Sequence, residues 1–284
     1  MKRSKKWAVG LSLLGLAVIV FSIIWITTIE PRFEKLPTDL DETFHIKATV
    51  TDIFPVARET QVEIERHQWA TDDKDGVLYI SEQLIFTPEI PAILFEDTTL
   101  KMAVDRSSRE YVSDYADGDR KREALWGYPM DVKKKDYVLW SDTAGSAPYA
   151  RYAGEDEIDG LDVYTFITDE KDIAYGTHPA TGLPLFIDLV IEEKVEPHTG
   201  ITVYGKSTRT VKVELAGKKA TAMIITQEYS AETTAEKVSD AKHYKTQLLW
   251  ATKYGLWAGI SFGIICLLAG CALIVRSRQS AGKS

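Results

Sequence analysis

The sequence predicts a mainly β extracytoplasmic domain, an antiparallel barrel or sandwich, held between two transmembrane α-helices. Two observations carry the prediction: the chain is free of charge in two long runs, and the stretch between them alternates apolar and polar residues with a period of two. The whole chain looks ordinary, at 284 residues with a formal net charge of −8 and a mean hydropathy of −0.15. That average conceals a segregation. Trp7 to Ile29 and Tyr254 to Val275 contain no charged residue, whereas all 42 Asp and Glu lie between them. Of the 34 Lys and Arg, 27 lie there too, so the middle carries −15. A domain so acidic repels phosphate instead of releasing counterions from it, which excludes a nucleic-acid partner. With only two runs near the roughly 20 residues that cross ~30 Å of hydrocarbon, a multi-span transporter is excluded as well.

Taken in order, residues 1–6 are a basic N-terminus and 7–29 a first span. Its 23 residues exceed the ~7–15 of a signal-peptide core, and no A-x-A site precedes Glu30 and Pro31, so it reads as an uncleaved anchor. The second span, 254–275, is followed by Arg276, Arg278 and Lys283. Both basic flanks favour the cytoplasm, placing residues 30–253 outside the plasma membrane and both termini, 1–6 and 276–284, inside. Trp7, Trp25, Tyr254 and Trp257 fall where amphipathic rings prefer the headgroup zone. Cys266 and Cys271 both lie in the second span, so the outer domain has no disulfide framework. The chain has no Asn and therefore no N-glycosylation acceptor.

Residues 30–230 read as one β-rich domain. Ile46, Ala48 and Val50 alternate with Lys47, Thr49 and Thr51, and Val62 and Ile64 with Glu63 and Glu65. The pattern returns at Ile187, Leu189 and Ile191, and at Val211, Val213 and Leu215, giving about ten half-buried strands. Asp75 with Gly76, and the stretch from Ala216 to Lys219, predict hairpin turns, while Gly160, Gly182 and Gly200 punctuate others. From Ala231 the period changes: Val238, Ala241, Tyr244 and Leu248 form one stripe, predicting a juxtamembrane helical stalk over 231–253.

Tyr152, Gly154, Ile158, Gly160, Leu161, Tyr164 and Phe166 form a stretch that resembles the signature of the actinobacterial PorA-type "porin" family. Val104 to Arg106, Gly127 to Met130, Lys135 to Tyr137 with Trp140, and Val195 to Gly200 follow in the order that family shows. The chain departs from it with Met130 where the family has Phe, and with Ser141 before Asp142 where an Asp follows the Trp directly. The resemblance implies an envelope protein, tied in some members to mycolate glycolipid trafficking beside an RND-type lipid transporter. The order helix, β-rich ectodomain, helix is also similar to the CD36 scavenger-receptor family, by architecture alone. A pore made by this domain is disfavoured, because the strands alternate in short stretches with charged outer positions.

Candidate sites follow from side-chain chemistry. Ile90, Ile93, Leu94 and Phe95 lie in a segment with two prolines that reads either as a flap over an apolar cavity or as a core-packed loop. Trp126, Tyr128 and Met130 offer two large rings and a thioether, to an acyl chain or to the core. The acidic runs at Asp72 to Asp75 and Glu155 to Asp159 lack calcium-loop spacing, and no metal or cofactor is expected. No G-x-S-x-G elbow or H-E-x-x-H pair occurs, so no enzyme is expected. The leading expectation is a membrane-anchored envelope protein that binds or transfers lipid. The alternatives are a scaffolding subunit that recognises protein and, third, a porin.

Overall fold

The computed structural model describes residues 2–29, 35–53, 58–87, 99–117, 120–178 and 181–281. The chain forms two compact units, Leu36–His243 and the pair of segments Met1–Lys35 with Tyr244–Ser284.

In the first unit the alternating stretches form the strands β1 (Asp41–Asp52), β2 (Arg58–Lys74), β3 (Val77–Thr87) and β4 (Thr99–Asp105). Two short pairs of residues follow, β5 (Ala116–Asp117) and β6 (Arg120–Lys121), and then β7 (Tyr137–Val138). The second run is β8 (Tyr149–Ile158), β9 (Leu161–Thr177), β10 (Pro184–Val195), β11 (Thr202–Leu215) and β12 (Lys218–Tyr229). Ten of these make one antiparallel sheet in the order β4-β3-β2-β1-β12-β11-β10-β9-β8-β7. Two meanders therefore meet through β1 and β12, with Ile46 opposite Tyr229 and Asp52 opposite Met223. Three hairpins turn on pairs with positive φ at both residues, Asp75 and Gly76, Asp159 and Gly160, and Ala216 and Gly217, the geometry that matches strand twist.

The sheet is open, neither the closed barrel nor the sandwich that the pattern predicts, and the cause lies at its edges. Beside β4 the backbone of Val112 donates to Ala103 O at 2.9 Å and Val104 bridges Tyr111. At the far edge Leu139 donates to Pro148 O, and Leu125 bridges both Glu110 and Leu139. The irregular stretch between β4 and β8 thus satisfies edge groups that a barrel would pair with each other. The sheet is nevertheless strongly curled. Glu193 in β10 feels the charge of Arg66 in β2, although four inter-strand steps in a flat sheet would hold them ~19 Å apart.

The inner face carries the core. Ala48, Val50, Val62, Ile64, Phe86, Ile187, Val211 and Ile225, from six neighbouring strands, form one buried cluster. A helix leaves β12 directly: Ser230 caps Ala231–Leu249 by accepting from Thr233 N at 3.1 Å. Thr233 Oγ1 accepts from His45 N at 2.8 Å and donates to His45 O at 3.0 Å, tying the helix start to β1. Val238 and Ala241 of the expected stripe pack on Leu161, Val163 and Val203.

In the second unit α1 (Lys2–Ile24) ends in a π turn, Trp25–Ile29. The capped helix is α2 (Ala231–Leu249); it passes through a second π turn, Trp250–Tyr254, into α3 (Gly255–Ala281). By length and composition one helix, Ala231–Arg276, can cross a membrane, and Val9–Ile24 is a shorter apolar helix. The expected uninterrupted span 7–29 is therefore α-helical only to Ile24. α1 runs antiparallel along α3 through small residues: a Cβ on Gly15 would lie 2.5 Å from Gly263 O, and one on Gly259 would lie 2.6 Å from Ser22 Oγ. Beyond this seam Trp25 Nε1 donates to Ala251 O, in the second π turn, at 2.9 Å.

A polar row on the inner face of the sheet

Register sets one row of side chains across the sheet. Tyr152 of β8 opposes Phe166 of β9, which opposes Glu193 of β10, which opposes Gly205 of β11. In β12 the ring of Tyr229 lies over Gly205, where an added Cβ would sit 3.3 Å from its carbons. Phe44 of β1 packs on Tyr229 with ring centroids 5.6 Å apart and stands opposite Arg66 of β2, whose guanidinium lies 5.5 Å from the Phe44 ring. At one end, then, the apolar inner face gives way to a guanidinium, a carboxyl and a phenol.

Arg66 donates through Nε and Nη2 to Glu82 Oε2 at 2.9 and 2.8 Å, and Gln68 Nε2 donates to the same oxygen. Burial works to lower the Arg66 pKa, and the adjacent Glu82 carboxylate overrides it and holds the cation charged. The Arg66 side chain is 31% exposed beside the buried Glu82. Burial pushes the Tyr229 phenol up to about 12, with the Glu193 carboxylate adding to the effect and Arg66 opposing it. Burial also raises the Glu193 carboxyl, against the hydrogen bond from Tyr128 Oη at 2.9 Å and the attraction of Arg66.

A second polar cluster fixes the loops beside the row. The fully buried Glu196 accepts through Oε2 from His198 N, Thr199 N and Thr199 Oγ1, at 2.9, 2.8 and 2.9 Å. Arg109, also buried, donates to Tyr128 O and to Thr199 O, the latter at 3.0 Å. Val132 N to Pro197 O and Asp131 N to His198 O complete the tie between segments 128–132 and 197–200. Two stretches of the family pattern are thus parts of one structural knot.

The predicted lipid contacts separate. Ile90, Ile93, Leu94 and Phe95 lie outside the described residues. Trp126 packs half-buried against the cluster around Leu78 and Met102, whereas the Tyr128 ring stacks on Phe166 at 4.6 Å in a different cluster. Met130 is half-buried in the same loop. Of these three, Tyr128 touches the row, through its ring on Phe166 and its hydroxyl on Glu193. Of the acidic runs, Glu155 pairs with Lys134, Asp156 with Lys194 and Asp73 with Arg106. Among the described residues no group of three metal-ligating side chains converges. Sequence reasoning missed Arg66, Glu193 and Tyr229, yet the first two carry a signal: each interrupts an apolar register, Val62-Ile64-Arg66 and Leu189-Ile191-Glu193.

Glu193→Gln provides a check on the row. A carboxyl whose pKa is raised by folding holds its proton while the unfolded chain loses its own, so stability is lost as pH rises through the folded value. The amide avoids that loss. Thermal unfolding should therefore show Glu193→Gln gaining on the wild type as pH increases from 4 to 8; a difference constant across that range would show that folding leaves the Glu193 carboxyl unshifted.

Fold and row together define a membrane-associated protein with a curled, open antiparallel sheet whose interior is apolar at one end and polar at the other. The chain belongs to the family described as Porin PorA, which matches residues 7–272. Among curated proteins no match is found. Solved structures resemble it only loosely. DynF of the dynemicin biosynthesis pathway of Micromonospora chersina is 9% identical over 69% of this chain and 82% of its own, with a TM-score of 0.25. A LolA-superfamily protein of Nitrosomonas europaea is 10% identical over 74% and 91%, with a TM-score of 0.19. A DUF1329-family protein of Desulfovibrio piger is 11% identical over 81% and 91%, at 0.20. Likenesses this loose carry no further reading, and none of the three is described as a CD36 relative.

Proposed function

We propose that the β domain is a binding module for an amphiphile, held at the membrane by α1 and α3 as a two-pass anchor. The observation that carries the reading is the lengthwise division of the curled interior. An apolar tract from Ala48 to Ile225 suits acyl chains, and the row of Arg66, Glu193 and Tyr229 supplies hydrogen bonds to a headgroup. The outer face argues against a lipid-facing barrel, since Lys47, Glu63, Glu65, Lys194 and Lys212 project there. The anchor is supported by depth. From the Gly15 contact, residue 6 lies ~14 Å along one direction and Trp25 ~15 Å along the other, a separation close to the ~30 Å of hydrocarbon.

Native mass spectrometry of the detergent-purified full chain tests the reading. Lipid should survive delipidation on the wild type and be lost, by about tenfold in affinity, from Arg66→Gln, which removes a charged hydrogen-bond donor. A chain that strips bare as readily as the variant ends the proposal, and ion conductance by the reconstituted protein would favour the porin reading that the family's description carries.

A further inference from the structure

At the β4 edge of the sheet the polar row continues past Glu82. Gln68 opposes Glu82 and Glu82 opposes Leu100, so Met102, two residues further along β4, shares their face. The Tyr111 hydroxyl donates to Met102 Sδ at 3.9 Å, a weak acceptor. Tyr111 is held there by its bridge to Val104 and by its N–H, which donates to Ala124 O at 2.9 Å. Arg122, the residue after β6, lies over its ring with the guanidinium 5.9 Å from the centroid. The Arg122 side chain is 3% exposed. Its Nε donates to Asp142 Oδ1 and its Nη1 to Lys101 O, each at 3.0 Å. Its Nη2 is buried and meets no acceptor among the described residues. An unmet N–H on a buried cation is costly. Asp142 offsets the charge in part, because its Oδ1 is shared with Trp140 Nε1 at 3.1 Å and its side chain is 34% exposed. Glu82 is engaged by Arg66 and Gln68. Burial, with Asp142 adding to it, raises the Tyr111 phenol and keeps its O–H a donor.

We infer that Arg122 and Tyr111 form a binding site for one oxyanion, with Arg122 Nη2 and Tyr111 Oη as its donors. A water would meet the N–H and leave the buried charge as it stands; an oxyanion answers both, through the strong bond that a guanidinium makes to a charged oxygen. The oxyanion is either free phosphate or the phosphate of an amphiphile's headgroup. The second source rests on the amphiphile reading above, whereas the site itself stands without it.

The test titrates the full chain in detergent with inorganic phosphate, read by calorimetry, and follows two lipids of matched chains, phosphatidic acid and diacylglycerol, by native mass spectrometry. Tyr111→Phe keeps the ring and should weaken anion binding by at least about tenfold, the worth of one hydrogen bond to a charged group. Arg122→Gln should weaken it at least as much; if that chain does not fold, Tyr111→Phe decides alone. Retention of phosphatidic acid over diacylglycerol by at least about tenfold, lost in Tyr111→Phe, assigns the oxyanion to a headgroup. Phosphate binding without that preference assigns it to the free ion. A wild type that binds neither anion overturns the site, as do variants that bind them as tightly as the wild type. Equal retention of both lipids without phosphate binding sinks the oxyanion site alone, whereas phosphate binding by a chain that retains no lipid sinks the amphiphile reading alone.

Discussion

Gly200→Ala is expected to lower the unfolding temperature of the β domain by roughly 10 °C. Gly200 sits at φ +69°, where an L side chain costs ~1–2 kcal/mol. Its added Cβ would lie 2.4 Å from Pro129 O, 2.5 Å from Tyr128 O and 2.8 Å from Arg109 Nη1. Two of these are backbone atoms, and moving them breaks the donation from Arg109 that ties segment 128–132 to segment 197–200. Overpacking against groups that cannot yield adds ~1–3 kcal/mol, for a total of about 2–5 kcal/mol. Circular dichroism melts of the full chain in detergent measure it. Gly127→Ala is the matched control, since its Cβ would meet nothing within 4 Å. That change should stay within about 0.5 kcal/mol of wild type. Equal losses at the two positions would show that the knot is not what makes Gly200 necessary.

The knot also marks where sequence reading stops. Strand positions were legible because a half-buried strand must alternate: Ala48, Val50, Val62 and Ile64 are buried as their period requires. Turns were legible because Asp75-Gly76 and Asp159-Gly160 accept positive φ at little cost. Closure was not, since it depends on whether edge groups pair with each other or with an irregular segment, and no period records that choice. Arg109 lies among Ser108 and Glu110 in a polar run, so nothing local distinguishes a buried tie from a solvated side chain. Arg66 and Glu193 were more accessible, because a charge in an apolar register is an anomaly that burial makes costly. Tyr229 was hidden: a ring in an alternating strand looks like core until Gly205 beside it is seen to leave room.

The other large effect concerns the helix pair, where Gly255, Gly259 and Gly263 recur at a spacing of four within an apolar run, the pattern that lets two helix backbones approach. Ser22→Cys combined with Gly259→Cys, in a chain with Cys266 and Cys271 replaced by Ala, should form a disulfide readily on mild oxidation. The Cβ of residue 259 would stand 3.8 Å from that of Ser22, the separation a disulfide prefers. Adding Gly15→Leu should cut the cross-linked fraction by at least about tenfold, because even its Cβ meets Gly263 O at 2.5 Å and Leu267 at 3.0 Å, a clash worth ~1–3 kcal/mol. Gly10→Leu should leave the cross-link intact, since nothing lies within 4 Å of its Cβ. Electrophoresis without reductant reads all three. A parent pair that does not cross-link removes the seam itself; a parent that cross-links equally well with Gly15→Leu would show that the helices meet without needing the glycines to touch.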